Sequence, residues 1–211
     1  MGRIHVLAML PLIIFIIVGC GPRGIKYTAT LNNLECTSNR SVAVAILDER
    51  PYILNKEKDP SYVGIMRGGY GNPFNTRTES GAPLADDMLA TVTDSLRAKG
   101  FAVMPLKTST TDSLNSVMAK FSASGADRLI LMDVKEWQSD YLPRAFTQER
   151  SNLFLNVEVT VFDRSQKNIE KNNLHEELIL PSGWPENTVP DVYQRKIRQL
   201  IDDSRVCRAL R

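Results

Sequence analysis

The spacing of apolar residues predicts five β-strands. Residues 41–47 form a nearly continuous apolar run rich in β-branched side chains, which is typical of a buried strand. Residues 101–105 form a short apolar strand, and residues 127–137 contain four consecutive apolar positions before they alternate. In residues 153–161 every second side chain is aliphatic, which is the clearest strand pattern in the chain. Residues 169–180 predict a more polar strand that returns beside it.

Apolar residues at helical spacing predict three helices. The first begins at Pro83, which suits the first helical position, and ends before Gly100, which suits a left-handed cap. The second is capped by Ser109 or Thr111 and ends at Gly125. The third follows a loop with several prolines near the C-terminus. The apolar stripes are Leu84, Met88, Val92 and Leu96, then Leu114, Val117, Met118 and Phe121, then Tyr193, Ile197, Leu200 and Ile201.

The longest segment without a regular pattern, residues 52–82, predicts an ordered loop that contains a short hairpin. Loops of this length in a compact domain are usually functional or disordered. Its glycines lack the spacing of a phosphate-binding motif. Because aromatic residues are interleaved with the glycines, we expect the loop to pack on something and its aromatic side chains to be partly exposed. These candidate binding residues are Tyr52, Tyr62, Tyr70 and Phe74.

The order of these elements predicts a single α/β (α+β) domain over residues 41–211. We expect a mixed sheet of about five strands, with two or three helices packed mainly on one face. The sequence contains no internal repeat and no sign of a second domain.

An apolar run at the start of the chain leads into a cysteine motif. Residues 6–18 are too few to span a bilayer as a helix, which requires about 20 residues, but they suit the apolar region of a secretory signal. The segment Ile17-Val18-Gly19-Cys20 resembles the lipobox of bacterial lipoproteins. The resemblance implies a signal peptide of residues 1–19 and, on Cys20, a diacylglyceryl thioether and an N-acyl chain such as palmitate. The alternatives are an ordinary cleaved signal peptide or a signal anchor.

The lipid on Cys20 would hold the chain at a membrane, since two or more acyl chains anchor a protein stably. Gly21 follows Cys20, whereas an Asp there typically favours inner-membrane retention. We therefore expect the protein on the periplasmic face of the outer membrane. Residues 20–40 show little apolar periodicity and predict a flexible tether that keeps the domain near the membrane.

Two further cysteines, Cys36 and Cys207, are an even number in a chain exported to an oxidising compartment, which favours a disulfide. The ends of a domain often lie close together, so the two side chains can meet. On the chain-entropy model, a bond closing about 170 residues contributes on the order of 5 kcal/mol. The alternative is two buried free thiols.

Charge and ligand residues exclude several classes of function. The chain has 26 basic and 24 acidic residues, a net charge of +2, and the charges are mixed along its length, so nothing indicates a nucleic-acid partner. A zinc site needs His or Cys ligands at short spacing, and after the lipobox the chain has one histidine, His175, which we expect to be solvated. We therefore expect no metal and no cofactor.

Acidic pairs and one tryptophan are the remaining candidates for chemistry. Adjacent carboxylates point in different directions on a helix or a strand, so they cannot converge on one bond as glycoside hydrolysis requires. We expect these pairs to be solvated. We also expect that the protein is not an enzyme and has no small-molecule substrate. Trp184 is either an exposed recognition residue or a cover for the edge of the core. The acidic pairs are Asp86-Asp87, Glu176-Glu177 and Asp202-Asp203.

Several short motifs resemble the YajG-type family of bacterial envelope lipoproteins. Their order and spacing, together with the lipobox, carry the resemblance over most of the chain. It implies a Gram-negative envelope lipoprotein without assigned catalytic residues. The order of strands and helices is also similar, by fold analogy, to periplasmic accessory domains such as lipoprotein activators of peptidoglycan synthases. The motifs are Asp48-Glu49-Arg50-Pro51, Gly64 and Arg67, Pro83-Leu84-Ala85, and Lys99-Gly100-Phe101.

Taken together, the residues and the resemblance predict a lipid-anchored envelope domain that acts by binding a protein partner. The loop of residues 52–82 is the expected contact surface. The alternative is a structural or assembly subunit of an envelope complex, such as an accessory of secretion, transport or peptidoglycan synthesis.

Overall fold

A computed structural model describes residues 24–68, 70–143 and 150–211. The predicted signal peptide and the predicted lipobox with Cys20 lie outside the described residues. Over the described part, the chain forms seven strands and five helices. The strands are β1 (Ser41–Asp48), β2 (Tyr62–Arg67), β3 (Pro73–Arg77), β4 (Ala102–Leu106), β5 (Arg128–Leu142), β6 (Arg150–Asp163) and β7 (Asn168–Ile179). The helices are α1 (Pro51–Leu54), α2 (Leu84–Ala98), α3 (Leu114–Ser124), α4 (Pro185–Ile201) and α5 (Ser204–Leu210).

Strand β5 organises the sheet. Its first half pairs in parallel with β1, which in turn pairs in parallel with β4. Its second half pairs in parallel with β2, which forms an antiparallel hairpin with β3. The other edge of β5 pairs with β6 along almost its whole length, and β6 pairs with β7, both antiparallel. The pairs β1–β4 and β2–β3 therefore follow one another along the same edge of β5.

The two faces of the sheet are covered unequally. Helices α2, α4 and α5 pack on one face, where they enclose the larger core cluster together with the alternating aliphatic residues of β6. Helix α3 packs on the opposite face through Val117 and Phe121, against Ala43, Ala45 and Leu129. The prediction of a mixed α/β domain with helices mainly on one face is confirmed.

The predicted number of strands was too low because the irregular loop contributes β2 and β3. Strand β3 is mostly exposed, so its sequence has no apolar alternation. Strand β5 also runs beyond Trp137, where we expected it to end. Its continuation looks polar, but Ser139 and Tyr141 are buried and alternate with Gln138 and Asp140.

The C-terminal helix differs from its prediction at both ends. Helix α4 already begins at Pro185, which takes the first helical position and was assigned to a loop, and Pro190 lies inside the helix. The helix stops at Asp202, and α5 starts after Asp203, whose carboxylate accepts the backbone N–H groups of Arg205 and Val206. No helix among the described residues is long and apolar enough to cross a membrane.

The prediction of a flexible tether over residues 20–40 is wrong for most of its described part. Five side chains of this segment are buried in the larger core cluster, although the segment forms no regular strand: Ile25, Tyr27, Leu31, Leu34 and Cys36. Its backbone is held by two hydroxyls of α2. The backbone N–H of Ala29 donates to Thr91 Oγ1 at 3.1 Å, and that of Leu31 donates to Ser95 Oγ at 2.8 Å. No regular apolar alternation marks residues 29–31, because hydroxyl side chains of α2, and not a neighbouring strand, bind their backbone.

The structure joins Cys36 to Cys207 by a disulfide with a Cα–Cα distance of 5.3 Å, as predicted. Beside it, the carboxylate of Asp202 accepts the backbone N–H groups of Glu35 at 2.9 Å and of Cys36 at 3.1 Å. The start of the folded domain is therefore fixed to the junction between α4 and α5.

Candidate contact surface

The irregular loop of residues 52–82 is ordered around α1 and the β2–β3 hairpin, in agreement with the preferred hairpin prediction. Its four aromatic candidates fall into two groups. Tyr70 and Phe74 are 94% and 43% exposed, whereas Tyr62 is 2% exposed and Tyr52 is half-buried. The expectation of partial exposure is therefore wrong for Tyr62, whose ring lies inside the domain.

A buried arginine explains why Tyr62 is inside. The guanidinium of Arg50 donates two hydrogen bonds of 2.7 Å to Asp48 and two more to the backbone carbonyls of Pro60 and Tyr62. The start of β2 is thereby drawn against the end of β1. The motif Asp48-Glu49-Arg50-Pro51 was noted in the sequence as part of a resemblance, but its role in fixing the loop was missed.

Tyr52 packs on Tyr62 from the solvent side. Its hydroxyl donates to Glu136 Oε1 at 2.9 Å, and its ring contacts the ring of Tyr62 edge-on, with centroids 5.4 Å apart. Burial raises the pKa of both phenols, to about 12 for Tyr62, so both stay neutral and act as packing and hydrogen-bonding groups. Neither is available to a partner as a free aromatic side chain.

Beyond this buried part, apolar side chains line up across three strands at one end of the sheet. Phe74 of β3 lies opposite Met66 of β2, and Met66 lies opposite Tyr141 of β5. Residues directly opposite each other project from the same face, so these side chains are neighbours. The ring of Trp184 continues the line, with its centroid 5.3 Å from that of Tyr141. We call Phe74, Met66, Tyr141 and Trp184 the distal apolar row.

Trp184 takes the covering role considered for it and also remains partly exposed. It covers Tyr141, which is 4% exposed, yet remains 47% exposed itself. It directly precedes the first residue of α4, so the helix fixes its position. Tyr70, in the turn between β2 and β3, is the most exposed large side chain near the row. The row has no signal in the sequence. Strand pairing and one ring contact bring its members together, and they are not regularly spaced along the chain.

Close approach of β2 to β5 supports the row and requires a glycine. A Cβ added to Gly64 would lie 2.3 Å from the backbone oxygen of Ser139, so a larger residue would push the two strands apart. Gly64 pairs with Ser139 in the register that also places Met66 opposite Tyr141. The glycine noted in the sequence is thus a packing requirement.

A second exposed surface lies on the opposite side of the sheet. Gln138, Phe154 and Glu177 are directly opposite one another on β5, β6 and β7. With Glu136 and the exposed His175 they line a shallow cleft of about 410 Å³. We call these five residues the open sheet face. His175 is exposed, as expected.

The acidic pairs behave differently from one another. Glu176 and Glu177 project from opposite faces as expected; Glu176 pairs with Lys196 at 2.7 Å. The expectation of solvated charges is wrong for Asp87, which is 5% exposed, accepts hydrogen bonds from Ser80, and has a pKa raised by burial. It is also wrong for Asp202, which accepts the backbone N–H groups of Glu35 and Cys36, and for Asp203, which accepts those at the start of α5.

The structure also contains a carboxyl group that the sequence analysis missed. Asp133 of β5 is mostly buried, and its Oδ1 has no hydrogen-bond partner among the described residues. Burial, and then the charges of Glu49 and Glu158, raise its pKa to about 7. The sequence signal for this buried carboxyl group was an acidic residue directly after the apolar run of residues 129–132.

One group of possible metal ligands occurs in the described part of the chain, namely Cys36, Asp202 and Cys207. Both sulfurs are joined in the disulfide, and the carboxylate of Asp202 accepts backbone N–H groups. The contacts of these three residues thus explain the cluster without an ion.

The amino-acid sequence matches no protein-family model and no curated protein sequence. The solved structures that are similar to this chain include the following three. A Xanthomonas campestris protein from a domain family of unknown function has 15% identity and a TM-score of 0.47, over 86% of this chain and 94% of that chain. The PelC dodecamer from Paraburkholderia phytofirmans has 12% identity and a TM-score of 0.43, over 83% and 89% of the chains.

Lipoprotein GNA1162 from Neisseria meningitidis has 15% identity and a TM-score of 0.40, over 78% of this chain and 99% of that chain. Similarity at these levels carries no inference about activity, ligand or partner. The functional argument therefore rests on the residues of this chain.

Proposed function

We propose that this chain is a lipid-anchored domain of the bacterial envelope that acts by binding a protein partner. The lipobox supports export and lipidation on Cys20, and membership of the YajG-type family would imply the same envelope setting. The disulfide between Cys36 and Cys207 suits an oxidising compartment. Gly21 after Cys20 supports sorting to the periplasmic face of the outer membrane.

The observation that carries a binding role is the grouping of exposed aromatic side chains. Among the described residues, the three exposed large aromatic side chains are Tyr70, Phe74 and Trp184, and all three lie at the same end of the sheet. Exposed aromatic residues held by rigid elements are characteristic of contact surfaces. The titratable groups of the described chain offer no comparable convergence on a substrate, which favours a non-enzymatic role.

Two surfaces remain for contact. The distal apolar row with Tyr70 replaces the whole loop of residues 52–82 as the candidate, since Tyr62 is buried and Tyr52 is half-buried. The open sheet face offers a broad, mostly polar alternative around Phe154. A folded protein can rest on either surface.

Photo-cross-linking in cells followed by purification from detergent-solubilised membranes tests this proposal. Cross-linkers placed at Gln138 and at Phe74 report on the two surfaces, and one at Ile169, a 36% exposed residue at the opposite end of β7, serves as the control. We expect a protein product from one of the two surfaces and none from Ile169. One dominant stoichiometric partner would indicate a subunit of a complex, and several weaker ones an adaptor. Products from none of the positions would contradict the proposal.

A further inference from the structure

The place where the chain enters the folded domain is fixed on the edge of the β2–β3 hairpin. The backbone N–H of Ile25 donates to the carbonyl of Arg77, and the carbonyl of Ile25 accepts from Glu79, both at 2.8 Å. Gly24 lies directly on this backbone, because a Cβ added to it would be 2.4 Å from Glu79 Cα. The described domain therefore begins at the end of β3 and not at the end of a loose segment.

This entry point leaves a short distance to the lipid site. Four peptide steps separate Gly24 from Cys20, and a fully extended chain of that length spans at most about 14 Å. Thr78, which bridges Ile25, lies four residues after Phe74, or about 13 Å along an extended strand. A lipid on Cys20 would thus hold the membrane surface within reach of the hairpin.

The side chains at this end of the domain suit such a surface. Tyr70, Phe74 and Trp184 are the exposed large aromatic residues of the described chain, and aromatic rings concentrate at the boundary between lipid and water. Lys26 and Arg77 are exposed beside the entry point, and the acidic side chains of Glu79 and Asp59 lie near them, so the charges at this edge are mixed.

We propose that Tyr70 and the exposed members of the distal apolar row, Phe74 and Trp184, rest on the phospholipid surface into which the Cys20 lipid inserts. This inference rests on the proposed lipid anchor and names the partner of one of the two candidate surfaces. The tether alone would leave the domain free to rotate, whereas the aromatic contact adds a second point of attachment. The open sheet face then remains accessible for a protein partner.

The contact would also fix the orientation of the domain relative to the membrane. Strand β7 contains 12 residues and is about 40 Å long. Its last residues lie at the end of the sheet that carries Trp184, and its first residues lie at the other end. Ile169 at its start would therefore lie far from the lipid, at the end of the domain that projects into the periplasm. The two ends of one sheet thus provide a test site and a matched control site.

Tryptophan fluorescence of the full-length lipidated protein in vesicles tests the proposal. The vesicles contain phosphatidylethanolamine and phosphatidylglycerol, with or without phosphatidylcholine brominated in its acyl chains. Trp137 is fully buried and gives a constant background, so the wild type reports on Trp184. In a Trp184→Phe background, Phe74→Trp moves the exposed reporter to the hairpin and Ile169→Trp moves it to the control site.

We expect brominated lipid to reduce the emission of the wild type and of the Phe74→Trp variant, and to leave the Ile169→Trp variant unchanged. All three reporters occupy exposed positions, so we expect these substitutions to leave the fold unchanged. Flotation of the vesicles with the protein checks the anchor independently. Flotation without quenching at Phe74→Trp would overturn the membrane contact alone, and a cross-linked protein at Phe74 would then assign the row to a protein partner. Loss of flotation would overturn the lipid anchor and this inference together.

Discussion

The guanidinium of Arg50 and the carboxylate of Asp48, two residues apart in the chain, form two hydrogen bonds of 2.7 Å in the interior of the domain. The side chains are 0% and 5% exposed. The same guanidinium binds the carbonyls of Pro60 and Tyr62, so this pair joins the end of β1 to the start of β2. Two of its three remaining donors bind these backbone carbonyls, and such additional hydrogen bonds are what allow a buried ion pair to be tolerated.

Replacement of Arg50 by alanine should destabilise the domain strongly. It leaves the carboxylate of Asp48 buried without its partner and two carbonyls without donors, which costs about 3–5 kcal/mol of unfolding free energy. Urea unfolding measures the loss. Arg67→Ala is the matched control, because Arg67 pairs with Asp140 at 2.9 Å with both side chains about one-third exposed, and such pairs contribute about 1 kcal/mol or less. Equal losses for the two variants would contradict the assigned role of Arg50.

Asp133 should make stability fall as the pH rises. Its pKa is about 7 in the folded protein, against about 3.9 in an unfolded chain, so the folded state binds this proton more tightly. The contribution of the group to stability is therefore complete below pH 4 and is lost progressively up to pH 7. We expect Asp133→Asn to be more stable than the wild type by about 2 kcal/mol at pH 8 and equal to it at pH 3.5.

Thermal unfolding across this pH range checks the prediction for Asp133, and Asp163 provides a control of opposite sign. Hydrogen bonds from Ser165, together with one from Lys167, lower the pKa of Asp163. Asp163→Asn should therefore lose stability at neutral pH and differ least from the wild type in acid. If Asp133→Asn showed the same direction as Asp163→Asn, the burial of an ionised Asp133 would be ruled out as the cause.

The elements that the sequence predicted well are those whose side chains alternate or repeat on one buried face. Residues 153–161 alternate because β6 has one face in the core, and the helical stripes of α2 and α3 face the sheet. The left-handed residues Gly100 and Gly125 end these helices as expected. In each case the local pattern is sufficient to predict the element, because a single buried face determines which positions are apolar.

The remaining features depend on partners that are distant in the chain. The buried segment from Ile25 to Cys36 relies on hydroxyls of α2, and the hairpin relies on the second half of β5. Tyr70 and Phe74 were identified as candidates, but the sequence could not separate them from the buried Tyr62, because Arg50 determines which aromatic residue is drawn inward. Nor does residue spacing bring Trp184 beside Tyr141.

Removal of the disulfide should destabilise the domain and loosen its first segment. The bond joins residues 171 positions apart, and the loss of such a cross-link costs about 2–5 kcal/mol. We expect the Cys36→Ser/Cys207→Ser variant to unfold at lower urea concentration and the backbone N–H groups of Ala29 and Leu31 to exchange faster with solvent. A reductant should reproduce the effect in the wild type and add nothing in the variant. Unchanged exchange at both positions would show that α2 holds the segment without the disulfide.

Replacement of Cys20 by alanine should remove the protein from the outer membrane without unfolding it. The described domain starts at residue 24, and its first segment is held by buried side chains and the disulfide, so the fold does not depend on Cys20. Three exposed aromatic residues give far less buried apolar surface than the acyl chains, and even one acyl chain binds a membrane reversibly. We expect the Cys20→Ala variant to leave the outer-membrane fraction on sedimentation and to keep its signal peptide, with a matching change in gel mobility. The Cys36→Ser/Cys207→Ser variant should remain with the membrane. If Cys20→Ala sedimented with the outer membrane at unchanged mobility, the lipidation of Cys20 would be excluded.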